Sequence, residues 1–132
     1  RNVHVLSGER KRTALEGTVK IEDKNLHVFS THLVYAPAQP SHTQTTQMQN
    51  LLKVLPKESG LVMGDFNATP DSKIMEDMSS VMVNTEGDAT KYTADGKKMD
   101  YIFSTADIKT LASGTIDSQA SDHLPIYAII EI

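Results

Sequence analysis

Four short polar clusters, each at the end of an apolar run, hold the side chains of this sequence that could do chemistry. They are Thr31 and His32, Asp65 and Asn67, Asp100 and Tyr101, and Ser121 with Asp122 and His123. Asp65 and Asn67 stand two apart, so an extended chain turns a carboxylate and a carboxamide to the same side, where both can face one ligand. Asp and Asn also favour turns through local hydrogen bonding, and a lone His or Asp after a strand is more often structural than functional. Four such coincidences in 132 residues argue for a shared site. A carboxylate at Asp122 suits a hard cation such as Mg²⁺, and the imidazole of His123 suits proton transfer near neutral pH. Asp100 could accept the second ring N–H of His123 and hold its tautomer, as the orienting acid of a hydrolytic triad does.

The elements that must position these groups follow from patterning. Val3 and Val5 alternate with Asn2 and His4 as a strand, and residues 17–21 form a second. Glu22, Asp23, Lys24 and Asn25 make a hairpin-like turn, and Leu26, Val28 and Phe29 open a third strand that runs on to Leu33 and Val34. After a loop of Pro and Ala at 35–40, Ser41 and Gln44 fit a capping box, and Met48, Leu51, Leu52 and Leu55 form one apolar helical stripe that Pro56 ends. Leu61, Val62 and Met63 read as a buried strand, and Gly64 lets the backbone turn or approach a neighbour closely. Asp71 or Ser72 caps a short helix with Ile74, Met75 and Met78 inward. Residues 81–98 read as loop, punctuated by Gly87, Asp88, Asp95 and Gly96. Within it Lys91, Tyr92 and Thr93 have two readings of equal weight, the lining of a substrate cleft or loop structure. Residues 99–103, 108–114 and 126–132 close the chain as strands, with Ile126, Ala128, Ile130 and Ile132 on one face of the last. Alternating helix and strand in this way is the pattern of an α/β layer.

The length fits one domain, residues 1–132, with a sizeable core. A net charge of −4 and a pI near 5.7 argue against broad electrostatic binding of nucleic acid. Arg10, Lys11 and Arg12 form the densest basic cluster, with Lys97 and Lys98 a second; each reads first as a solvated loop or strand edge and second as a phosphate-steering patch. No apolar run reaches the ~20 residues of a transmembrane helix. Arg1, Asn2 and Val3 lead straight into a strand pattern with no leader-like stretch, and the lack of Cys leaves the compartment open.

In the motifs Thr31-His32-Leu33, Gly64-Asp65-Phe66-Asn67 with Ala68 and Pro70, Met99-Asp100-Tyr101-Ile102, and Ser121-Asp122-His123 with Pro125, the chain resembles the endonuclease/exonuclease/phosphatase superfamily. That superfamily includes pancreatic-type deoxyribonuclease, abasic-site endonucleases, sphingomyelinases and inositol polyphosphate phosphatases. The resemblance implies hydrolysis of a phosphate ester by direct attack of water, with Mg²⁺, or Mn²⁺ in its place, as cofactor. The position of His123 implies a general base or phosphate stabiliser, and that of Asp100 its orienting acid. Asp65 matches a residue that activates or positions the water or holds a metal, Asn67 one that fixes a phosphate oxygen, His32 one that assists the phosphate or leaving group, and Asp122 a metal ligand.

The family fold is a four-layer αββα sandwich, DNase I-like, of about twice this length, and the chain resembles its C-terminal half: one predominantly β-sheet half with flanking helices. The other half would supply an Asn and the principal metal-ligand Glu, and Glu9, Glu16 and Glu22 lie in the wrong context to replace it. With Asp122 and Asp65 alone as ligands, weak metal binding is expected, and an apolar sheet face should need cover. A longer protein, a separate complementing N-terminal half or a homodimer would each provide that cover. The substrate class stays open among nucleic acid, phospholipid and phosphoinositide. The alternative is a non-catalytic phosphate-binding or interaction module that lacks the main Glu.

Overall fold

Alternating apolar and polar residues at the start of the chain build an antiparallel meander, seen here in a computed structural model that describes residues 1–8, 10–38, 40–86 and 92–132. Strand β1 (Asn2–Val5) pairs with β2 (Thr13–Ile21), and β2 with β3 (Lys24–His32). β2 starts earlier than its apolar pattern suggests, because Thr13, Ala14 and Leu15 find partners in Val5, His4 and Val3. The turn shrinks to Glu22 and Asp23 because Lys24 and Asn25 pair with Ile21 and Lys20.

From β3 the chain crosses through helix α1 (His42–Leu52) to β4 (Gly60–Asp65), which pairs with β3 in parallel. Helix α2 (Lys73–Ser79) leads to a short edge strand, β5 (Val83–Asn84), and then to β6 (Asp100–Ser104), antiparallel to β4. β5 falls where the sequence reads as loop, since two residues are too few for a period of two to show. Gly87, Asp88 and Lys91 lie outside the described residues. The six-stranded sheet has the order β1-β2-β3-β4-β6-β5, and β7 (Lys109–Thr115) with β8 (Ile126–Glu131) forms a separate two-stranded ribbon. One sheet layered with helices confirms the α/β class.

The sheet buries its two faces differently. Toward the helices, Phe29, Val62, Tyr101 and Phe103 pack on Met48, Leu51, Met75 and Met78, and Phe66 meets Tyr101 edge-on with ring centroids 5.7 Å apart. On the opposite face, Leu26, Leu61 and Ile108 gather Val28, Met63, Ile130 and Ile132 beneath the ribbon. The ribbon leaves the β1–β2 part of that face open, where Val3, Leu15, Val19 and Ile21 are exposed.

Candidate active site

Strand register alone brings three of the expected residues into one row. His32 pairs with Asp65 across β3 and β4, and Asp65 pairs with Asp100 across β4 and β6. Directly paired residues share a face, so an imidazole and two carboxylates project from the sheet side by side, at the end of the face that the ribbon covers. His32 Nε2 lies 3.4 Å from Asp65 Oδ2.

The approach of β3 to β4 that sets this row depends on Gly64. Its φ is 144°, and a Cβ there would sit 1.9 Å from the carbonyl oxygen of Thr31. No other residue fits. The chain then bends sharply, with Asn67 in the left-handed region at φ 49°, and the Asn67 backbone N–H donates to Asp65 Oδ1 at 2.8 Å. The Asn67 side-chain amide donates to the Leu33 carbonyl at 3.0 Å and lies 3.1 Å from His32 Nε2. Beneath this bend the buried Gln44 of α1 donates its amide to the carbonyls of Asn67 at 2.9 Å and Val34 at 3.1 Å, tying the two site loops to the helix.

His123 arrives from the loop before β8. Its Nδ1 lies 2.7 Å from Asp100 Oδ2, the contact anticipated from the residue types, and its backbone N–H donates to Ser121 Oγ at 3.1 Å. Thr93 secures the meeting. Its hydroxyl accepts from the backbone N–H of Met99 and Asp100 at 3.0 and 3.1 Å, and its carbonyl accepts from Leu124 N–H at 2.8 Å. Of the two readings of this loop, Thr93 therefore takes the structural one and is buried, while Tyr92 is exposed and Lys91 lies outside the described residues.

The electrostatics follow the geometry. Burial pushes the Asp65 carboxyl above its ordinary value, against the opposing hydrogen bond from Asn67. The hydrogen bond to Asp100 raises His123, against partial desolvation. Among the described residues, one ligand atom each from Asp65, Asp100 and His123 fall within 4.8 Å of one another, close enough to share an ion. Asp122 is exposed, accepts from Ser121 Oγ at 3.3 Å and stands outside that trio. His32, Asp65, Asn67, Asp100 and His123 thus form one group, with Asp122 on its rim.

Gln44 and Thr93 are positioning groups that the motifs do not announce. Gln44 carried a signal only as a capping partner, which its backbone N–H satisfies by donating to Ser41 Oγ at 3.2 Å.

The α/β sheet thus ends in a registered row of one imidazole and two carboxylates, with a second imidazole held by one of the acids. Residues 4–123 match the profile of the endonuclease/exonuclease/phosphatase family, and the chain belongs to it. Among curated proteins none matches this sequence. A solved endonuclease/exonuclease/phosphatase from Beutenbergia cavernae superposes with a TM-score of 0.87 at 18% identity, over 99% of this chain and 44% of that one. D. rerio TDP2, solved with a single-strand DNA product, gives 0.78 at 16% identity over 99% and 66%. A mannosyl-6-phosphatase from Bacteroides thetaiotaomicron gives 0.76 at 15% identity over 99% and 65%. At these identities the likeness shows the fold, and this chain spans 44% to 66% of the length of these three structures.

Proposed function

We propose that the chain carries the catalytic face of a metal-dependent phosphoesterase that hydrolyses its substrate by direct attack of water. The observation that carries this reading is the registered row His32, Asp65 and Asp100, completed by the 2.7 Å contact between His123 and Asp100. The family, and relatives named for a sugar phosphatase and for a DNA product, support phosphate esters as the substrate class.

His123 commits Nδ1 to Asp100, which leaves Nε2 free to take a proton from water. Asp100 fixes the ring and balances the imidazolium that forms. Asp65, half-buried beside them, positions the attacking water. Asn67 Nδ2 and His32 Nε2 now meet each other at 3.1 Å, and a phosphate oxygen bound there would take that contact over from them. With His123 kept as the base, the carboxylates of Asp65 and Asp100 form an oxygen donor pair that would suit Mg²⁺ or Mn²⁺, with Asp122 adding charge at the rim. Such an ion would neutralise charge on the phosphate. In this reading residues 1–132 supply one half of the catalytic domain, and a Glu from a complementing half or a twin chain completes the metal site.

Hydrolysis of bis(p-nitrophenyl) phosphate tests the reading. Mg²⁺ should stimulate it, and His123→Ala or Asp65→Ala should each lower it by about 10²–10⁴-fold. Equal rates in wild type and both variants contradict the proposal. Binding of inorganic phosphate with no turnover and no response to EDTA would instead support the non-catalytic module.

A further inference from the structure

The basic cluster near the start of the chain finds a place beside the site. Lys11 and Arg12 immediately precede β2, and the β2–β3 ladder ends at the pair Ala14 and Thr31, so Thr13 is the next neighbour of His32 across the strands. The row of Asp100, Asp65 and His32 therefore continues to Thr13, which the two cations immediately precede along the chain. There a cleft of about 340 Å³ is lined by Lys11, Arg12, Thr13, Ser30, Thr31 and His32.

Its lining holds two permanent cations, the hydroxyls of Thr13 and Ser30 and an imidazole, and no carboxylate among the described residues; the Thr31 hydroxyl is spent on the Thr13 carbonyl. Among the described residues neither Lys11 nor Arg12 has an acidic partner, in a chain whose net charge is −4. Unpaired cations on solvated loops are common, but the backbone that carries these two is fixed. The buried Gln47 donates to the carbonyl of Arg10 at 2.7 Å and to that of Ser7 at 3.2 Å, and Leu6 N–H donates to the Arg12 carbonyl at 2.8 Å. With the backbone anchored at Leu6, Ser7, Arg10 and Arg12, only the side chains remain to be ordered when an anion binds, and a planar guanidinium matches the geometry of an oxyanion. The cleft on the other side of Asn67, about 190 Å³, includes the carboxylate of Asp95, which opposes an anion.

We infer that Lys11 and Arg12 form a second anion subsite, which binds a phosphate of the substrate next to the one that is hydrolysed. The preferred substrates then carry at least two phosphates within a few bonds of each other, as in a nucleotide strand or a multiply phosphorylated sugar or cyclitol. This inference rests on the phosphoesterase reading for the identity of the first phosphate, and its own signature is the gain in affinity from the second.

Isothermal titration calorimetry in EDTA separates the two, with probes in matched pairs: thymidine 5′-monophosphate against thymidine 3′,5′-bisphosphate, and myo-inositol 1-phosphate against myo-inositol 1,4-bisphosphate. In wild type the second phosphate should tighten binding roughly tenfold in at least one pair, the size expected of one charge-assisted contact, and that pair identifies the source. Lys11→Ala combined with Arg12→Ala should cut the gain to about twofold or less, whereas His123→Ala, which tests hydrolysis, should leave it in place. Should the double variant fail to fold, Lys11→Glu at an exposed side chain should reduce the gain to the same extent. Equal affinity within both pairs in wild type, or a gain that survives these substitutions, overturns the subsite while leaving the hydrolysis test unaffected.

Discussion

Glu16 and Asp100 each hold histidine, on opposite faces of the same six-stranded sheet. Glu16 faces the helices. Its Oε2 accepts from Asn2 Nδ2 at 3.0 Å and meets His4 Nε2 at 2.9 Å, and its Oε1 lies 3.4 Å from His27 Nδ1. These donors drive its carboxyl down to about 2, and the His4 ring stacks on Phe29. Both carboxylate oxygens of Glu16 are spent on neighbours within the chain. On the other face His123 has one nitrogen on Asp100 and, among the described residues, no partner at the other, and Asp65 is held in a partly desolvated position that disfavours its charge. The same residue types thus make a closed structural knot in one place and an open constellation in the other. What separates them is the state of the carboxylates: three side-chain donors hold Glu16 ionised, whereas burial leaves Asp65 short of such donors and poised to gain from a bound ligand.

Substitution should widen this contrast. Asp100→Asn replaces the carboxylate that orients His123 and balances its charge with a neutral amide and should lower hydrolysis of a phosphodiester by about 10²–10⁴-fold, whereas Glu16→Gln should leave the rate within about twofold. Steady-state kinetics of both variants checks it, and comparable losses in the two would erase the distinction. Gln44→Ala should come next, because it frees the Asn67 and Val34 carbonyls that pin the site loops; a loss of about 10-fold or more in kcat is expected from the displaced Asn67. Crystal structures of the variant and wild type would show whether Asn67 moves.

The closed cluster should announce itself in stability instead. Glu16→Gln weakens a charge-assisted network and should destabilise the fold by about 1 kcal/mol in a denaturant titration near neutral pH. The smallest expected effect is a pair of pH limbs in metal-free protein. Glu16 is depressed from 4.5 to about 2, so its contribution is complete above 4.5 and is lost as pH falls toward 2. His123 is raised above 6.5, so its contribution is complete below 6.5 and is lost as pH climbs through the raised value. Thermal melts should show Glu16→Gln flattening the acid limb and Asp100→Asn the upper one.

The sequence disclosed which residues belong together more clearly than how they are held. His32, Asp65, Asn67, Asp100 and His123 were legible because each follows or begins an apolar run, and strand ends at one edge of a sheet naturally converge. Their exact neighbours were not legible, since register depends on pairings such as Thr31 with Gly64 that no local pattern encodes. The crossover helix shows the same limit. Its apolar stripe predicts Met48, Leu51, Leu52 and Leu55 as the inward set, but the helix ends at Leu52 and its buried face is Gln44, Gln47, Met48 and Leu51. Those four positions keep the i, i+3, i+4, i+7 spacing, displaced by about one turn. Polar residues on half of that face hide it from any hydrophobic reading, and they are there because loop carbonyls and amides need partners once buried.

The central claim is that the open constellation, and not the closed one, is where the protein does its chemistry. A direct test is ¹H–¹³C correlation NMR of the five histidine rings during titration with Mn²⁺ at substoichiometric levels. Paramagnetic broadening should reach His123 first and His32 next, with His4 and His27 still sharp. Broadening that begins at His4 or His27, or that spreads over all five rings together, would contradict the account.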